Sequence, residues 1–113
     1  MKKILLILFS IVTIASCTAP NSRWEGNIGG QYMILDFDSR GYVDIYTKDL
    51  DQIGAGLCGR KGNYIDFGGT SVQVKDGYRT KYYRIISATI KKREMRVESE
   101  YDGYTYYDTF IKM

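Results

Sequence analysis

The sequence predicts an all-β domain, a small antiparallel up-and-down barrel of about eight strands. Three observations predict it. Short runs rich in Tyr, Ile, Val and Thr follow one another from Arg23 onward, bounded by Gly, Asp or Asn. Apolar and polar side chains alternate in the clearest runs, the period of a half-buried strand. No stretch of the domain carries a helical period. A β-sandwich is the alternative arrangement of the same strands.

Gln31 to Phe37 alternates, with Met33, Leu35 and Phe37 on one face and Tyr32, Ile34 and Asp36 on the other. Asp38-Ser39-Arg40-Gly41 is a turn signal. Tyr42 to Thr47 follows, with Val43 and Ile45 on one face, so the two runs predict an antiparallel hairpin with one apolar side. Lys48 to Gly56 is the longest break, read as a mobile loop or one helical turn at a barrel mouth. Asn63 to Phe67 and Ser71 to Val74 read as two short strands, and Asp76-Gly77 as a two-residue hairpin turn. Tyr82 to Ile90 returns through Lys91-Lys92-Arg93-Glu94 into Met95 to Glu100. A loop at Lys92-Arg93 pairs Lys91 with Glu94, Ile90 with Met95 and Ala88 with Val97, apolar against apolar and opposite charges together. Asp102-Gly103 turns the chain into Tyr104 to Lys112, where Tyr104, Tyr106 and Phe110 compete with Tyr107 and Ile111 for the inner face. A meander of this kind has two edges, and closure removes them.

The first residues differ in kind. Met1-Lys2-Lys3 is a positive start, Ile4 to Ile14 is almost wholly apolar, and Ala15 and Ser16 are small. This order reads as an export signal. The apolar run falls short of the roughly 20 residues that a spanning helix needs.

Ile14-Ala15-Ser16-Cys17 resembles the lipobox of bacterial lipoprotein signal peptides: an aliphatic residue, two small residues, then cysteine. The resemblance implies diacylglyceryl on the Cys17 sulfur, cleavage after Ser16 and acylation of the new amino terminus. Two or more acyl chains hold a protein stably at a membrane. Residues 1–16 are then a cleaved signal peptide, 17–22 the lipidated cysteine with a tether, and 23–113 a single domain. Thr18 after the cysteine implies the outer membrane of a bacterial envelope.

The chain has 16 Lys and Arg against 13 Asp and Glu. Loss of Lys2 and Lys3 leaves 14 against 13, which does not predict a nucleic-acid partner. Lys91-Lys92-Arg93 is the only basic run of the domain and reads as a solvated turn beside Glu94, Glu98 and Glu100. With lipid on Cys17, the second cysteine, Cys58, is left without an intramolecular disulfide, and reads as a small buried hydrophobe.

Chemistry is sparse. The chain has no histidine, which excludes Ser-His-Asp and Cys-His catalysis and removes the usual zinc ligand. Asp36-Phe37-Asp38-Ser39-Arg40-Gly41 starts like a calcium loop but places Arg40 at its fifth position and Thr47 at its twelfth, so it reads as a turn. Asp49 and Asp51 read as a solvated loop, and Glu98 and Glu100 as part of an exposed charged stripe with Arg96. No glycine-rich phosphate loop precedes a helix. A non-catalytic protein without cofactor or metal is expected.

Tyrosine is the compositional excess, with 11 in the chain. Its ring is apolar and its tip forms hydrogen bonds, which suits both strands and contact surfaces. Tyr104, Tyr106 and Tyr107 are the candidates for an exposed contact patch.

Trp24-Glu25-Gly26 near the domain start, the strand pairs, and a final aromatic strand ending Phe110-Ile111-Lys112 are similar to small lipocalin-like bacterial lipoproteins. Lipocalins place Gly-x-Trp on the first strand, where the indole closes one barrel end; this chain carries Trp-x-Gly. The resemblance implies non-catalytic binding of a small apolar or amphipathic ligand inside the barrel. Its lining, or equally the core of a filled barrel, is Met33, Leu35, Phe37, Val43, Ile45 and Val97. The alternative is a protein-interaction module, an envelope inhibitor or accessory subunit, with a filled barrel and a Tyr-rich surface. In either case the membrane is a partner through lipid on Cys17.

Overall fold

Alternation gives each strand one apolar side, and the strands curl into a closed wall that turns this side inward. The computed structural model describes residues 22–113, and the candidate signal peptide and Cys17 lie outside them. The strands are β1 (Ser22–Ile28), β2 (Gln31–Phe37), β3 (Tyr42–Tyr46), β4 (Gln52–Leu57), β5 (Gly59–Lys61), β6 (Tyr64–Asp76), β7 (Arg79–Lys91), β8 (Glu94–Tyr101) and β9 (Tyr104–Lys112). All described pairings are antiparallel, and neighbours in space are neighbours in sequence except at two places. There β9 returns to β1, and β4 meets β6. Eight strands close the barrel, and β5 adds a short ninth along Tyr64 to Asp66 at the start of β6.

The two closing seams are narrow. At the first, Trp24 pairs with Lys112 and Glu25 with Ile111. At the second, Gly54 pairs with Val72. Glycine is required on this side of β4. A Cβ on Gly54 would stand 2.7 Å from the Ser71 carbonyl oxygen, and one on Gly56 would collide with the Thr70 side chain. At the first seam the Phe110 ring lies over Gly26, where a Cβ would come within 2.6 Å of ring carbons. Covering a strand glycine with an aromatic ring restores the packing that glycine lacks.

The up-and-down path puts the turns at Gly29–Gly30, Thr47–Asp51, Gly77–Tyr78 and Asp102–Gly103 at one end, the mouth. The turns at Asp38–Gly41, Gly62–Asn63 and Lys92–Arg93 lie at the other, the base, where the described chain also enters at Ser22 and leaves at Met113. Met113 N donates to Arg23 O at 2.9 Å, which ties the last residue to the start of β1.

The predicted β2–β3 hairpin is present, with Leu35 opposite Ile45 and Phe37 opposite Val43. The predicted β7–β8 register is also present: Lys91 faces Glu94, Ile90 faces Met95 and Ala88 faces Val97. On β9 the contest for the inner face goes to Phe110, which is buried, while Ile111 is exposed.

Three expectations are corrected. Ser22 belongs to β1 rather than the tether; it pairs with Phe37 and its Oγ accepts from Trp24 Nε1 at 2.8 Å. Lys48 to Gly56 is not one loop. The break ends at Asp51, and the strand β4 follows, hidden in the sequence by its glycines. The two runs Asn63 to Phe67 and Ser71 to Val74 belong to one 13-residue strand, β6. Gly68 and Gly69, both at positive φ, form an irregularity between Asp66 and Thr70 without ending the strand.

Candidate functional site

The six interior candidates, Met33, Leu35, Phe37, Val43, Ile45 and Val97, are each 0% exposed and share one continuous core. Phe37 meets Phe67 at a ring separation of 5.9 Å. Both ends of this core are plugged. At the base Trp24 is buried and held by its hydrogen bond to Ser22. Towards the mouth Tyr83 stacks on Tyr101 at 4.7 Å and tilts against Tyr106 at 5.9 Å. Lys81 Nζ lies 5.4 Å from the Tyr101 ring centre and pairs with Asp76 at 2.9 Å.

The surface candidates divide. Tyr104, Tyr106 and Tyr107 are all exposed. Alternation along β9 puts Tyr104 and Tyr106 on the side of Phe110, at the mouth, and Tyr107 on the outer wall. There Tyr107 lies beneath the Arg96 guanidinium, 4.4 Å from its centre, beside a shallow hollow lined by Ser87, Thr89 and Glu98. The three tyrosines do not form one patch.

Two polar groups on the inner face of the wall were not singled out from sequence. Ser99 is 0% exposed, and its Oγ has no hydrogen-bond partner. Asp108 lies opposite Val97, on the same side as Phe110, and burial raises its carboxyl above the usual aspartate range. The signal was present: each is a polar residue two positions from a core residue on its own strand.

The largest described hollow opens at the mouth, where β4 and β6 part. It measures about 500 Å³ and is lined by Gln31, Tyr32, Thr47, Lys48, Asp49, Asp51, Ile53, Gln73 and Lys75, among others. A sheet seam left open exposes backbone groups that need partners. Gln31 supplies them. Its Nε2 donates to Gln73 O at 3.0 Å, and its Oε1 accepts from Lys75 N at 2.8 Å. One side-chain amide thus stands in for the missing strand. Tyr32 is fixed beside it by donating to Glu25 Oε1 at 3.1 Å. Burial, then this bond, raises the Tyr32 phenol above its usual range.

The walls of the hollow carry Lys48 and Lys75 against Asp49 and Asp51, so they are charge-balanced. Its turn is preformed: Thr47 N donates to Asp51 O at 2.9 Å, Leu50 N to Thr47 O at 3.0 Å, and Asp51 N to Thr47 Oγ1 at 3.2 Å. Size and mixed lining fit a small hydrogen-bonding ligand or a peptide segment. Among the described residues, no group of three or more metal-ligating side chains occurs. Asp38 caps its own turn by accepting from Arg40 N at 2.8 Å and pairs with the Arg40 guanidinium at 2.8 Å.

Cys58 differs from its expected state. It is half-buried against the core, as expected, but it is disulfide-bonded. The only other cysteine in the chain, Cys17, lies outside the described residues. No family model, curated protein or solved structure matches the chain.

Proposed function

We propose that this chain is a non-catalytic, lipid-anchored binding protein of the bacterial envelope, working from the mouth of a filled barrel. The observation that carries this reading is the occupied interior. The residues that would line a lipocalin-like chamber are sealed in one core between Trp24 and the Tyr83–Tyr101 stack. The mouth hollow and the exposed Tyr78 and Tyr104 remain as contact surface. A small β-barrel is compatible with such a role, and with either a small ligand or a protein partner.

The lipobox supports the anchor, and Thr18 supports the outer membrane. The disulfide at Cys58 is the observation that opposes the anchor. One sulfur cannot be both a lipid thioether and half of a disulfide. The motif, with its charged start and apolar run, is the weightier evidence.

Labelled-palmitate feeding tests the anchor: the native chain takes up label, and Cys17→Ser neither takes it up nor is processed. Normal processing of that variant overturns the anchor. A photo-crosslinking residue at Tyr78 or Tyr104 tests the contact surface. Capture of an envelope component there, and not from the side-wall position Thr109, is expected. Capture from Thr109 alone contradicts it.

A further inference from the structure

The charges of the described barrel differ between its ends. The mouth is balanced, with Lys48, Lys75, Arg79 and Lys81 against Asp49, Asp51, Asp76 and Asp102. The base carries an excess of cations. Arg23 and Arg40 are there, paired with Asp36 at 3.4 Å and with Asp38 at 2.8 Å. Beyond these pairs the base carries Arg60, Lys61, Lys91, Lys92, Arg93 and Lys112, and one carboxylate, Glu94, in the same turns. None of these six cations is in a described ion pair. Two are propped at the rim by backbone: Arg60 Nε donates to Gly62 O at 2.7 Å, and Arg93 Nη2 to Lys112 O at 3.3 Å.

The same end exposes apolar side chains. Leu57, Tyr64, Ile111 and Met113 are all exposed: Leu57 precedes Arg60 by three residues, Tyr64 faces Lys61, and Ile111 and Met113 flank Lys112. Cations interleaved with exposed aliphatic and tyrosine side chains form the surface that lies on a bilayer, with rings at headgroup level and ammonium groups on anionic lipid. The path of the chain agrees. The described residues begin at Ser22 on the base, so the tether from the lipidated Cys17 of the proposed function would join the barrel at this end.

We propose that the base is a membrane-seating face for anionic phospholipid, so that the barrel stands on the bilayer with its mouth turned away. Cations near such a surface are drawn to anionic headgroups, and a basic patch adds to the hold of acyl chains on a membrane. Seating deepens the anchored reading but stands on its own observations. It also places the mouth hollow where an envelope partner can reach it.

The test is hydrogen exchange of the full chain held on lipid nanodiscs, either phosphatidylcholine alone or mixed with phosphatidylglycerol. The turns at 60–63 and 91–94 should exchange about tenfold more slowly on the anionic discs, and the mouth turns at 47–51 and 77–78 equally on both. The triple variant Lys91→Glu, Lys92→Glu, Arg93→Glu should lose this protection, as should high salt, while keeping the thermal transition of the native chain. Base turns that exchange alike on both discs, with the protein still attached, overturn the seating and leave the anchor standing. Protection with attachment that salt releases keeps the seating and removes the anchor. Protection by a free polyanion such as heparin, but not by anionic lipid, overturns the membrane assignment.

Discussion

The side-chain amide of Gln31 holds the backbone of Lys75, accepting its N–H at 2.8 Å across 44 residues of chain. With the second bond, to Gln73 O, it closes the seam that β4 leaves open above Gly54. A hydrogen bond of this kind contributes about 1 kcal/mol net. Gln31→Ala should therefore lose about 1–2 kcal/mol in urea unfolding, and the Lys75 amide should exchange faster. Gln31→Glu keeps the acceptor but sets a carboxylate against a carbonyl, and should recover only part of the loss.

The seam between β1 and β9 depends on Gly26. Its missing Cβ makes room for the Phe110 ring. Gly26→Ala should cost about 1–3 kcal/mol, the ordinary range for overpacking, measured by thermal or denaturant unfolding. The double variant Gly26→Ala, Phe110→Leu should lose less than the two single losses added, because both act on one contact.

Asp108 should make stability fall as pH rises. Burial raises its folded-state pKa above the unfolded value, so the folded chain holds the proton more tightly. Stability is highest below the unfolded aspartate pKa. It declines as pH climbs from there through the raised folded value, then levels off. Asp108→Asn should remove this decline, seen as a flatter plot of unfolding midpoint against pH across the acid range. An unchanged slope would show that the carboxyl is solvated.

Ser99 carries a buried hydroxyl with no partner. Removing a polar group that makes no hydrogen bond relieves its desolvation cost. Ser99→Ala should be neutral or stabilising by up to about 1 kcal/mol, against the loss usual for a buried truncation. A clear loss in chemical denaturation would mean that the hydroxyl is bonded in solution.

Much of this fold is legible in the chain. Strict alternation in Gln31 to Phe37 predicts the β2–β3 hairpin, and charge matching around Lys92-Arg93 predicts three β7–β8 pairs near that turn. Both signals are local, because hairpins pair neighbouring sequence. The closures are not local. β4 is masked by Gly54 and Gly56, whose missing side chains serve a partner strand far along the chain rather than their own. Gly68-Gly69 reads as punctuation but is a bulge inside β6. The mouth hollow is hidden for the same reason: Gln31 is an ordinary polar residue until β6 is folded beside it. The six apolar interior residues are all buried, but a lined chamber and a solid core use the same alternation, and only three-dimensional packing separates them.

The central claim is that the interior is solid and the mouth does the binding. Native mass spectrometry of the full-length protein extracted from a bacterial envelope tests it most directly. The account predicts the mass of the polypeptide with its covalent amino-terminal modification and no apolar passenger, unchanged by adding envelope lipid extract. A lipid or other apolar molecule that stays bound in the native spectrum, leaves on denaturation and is excluded by Leu35→Trp would place a ligand among Met33, Leu35 and Phe37, and would contradict it.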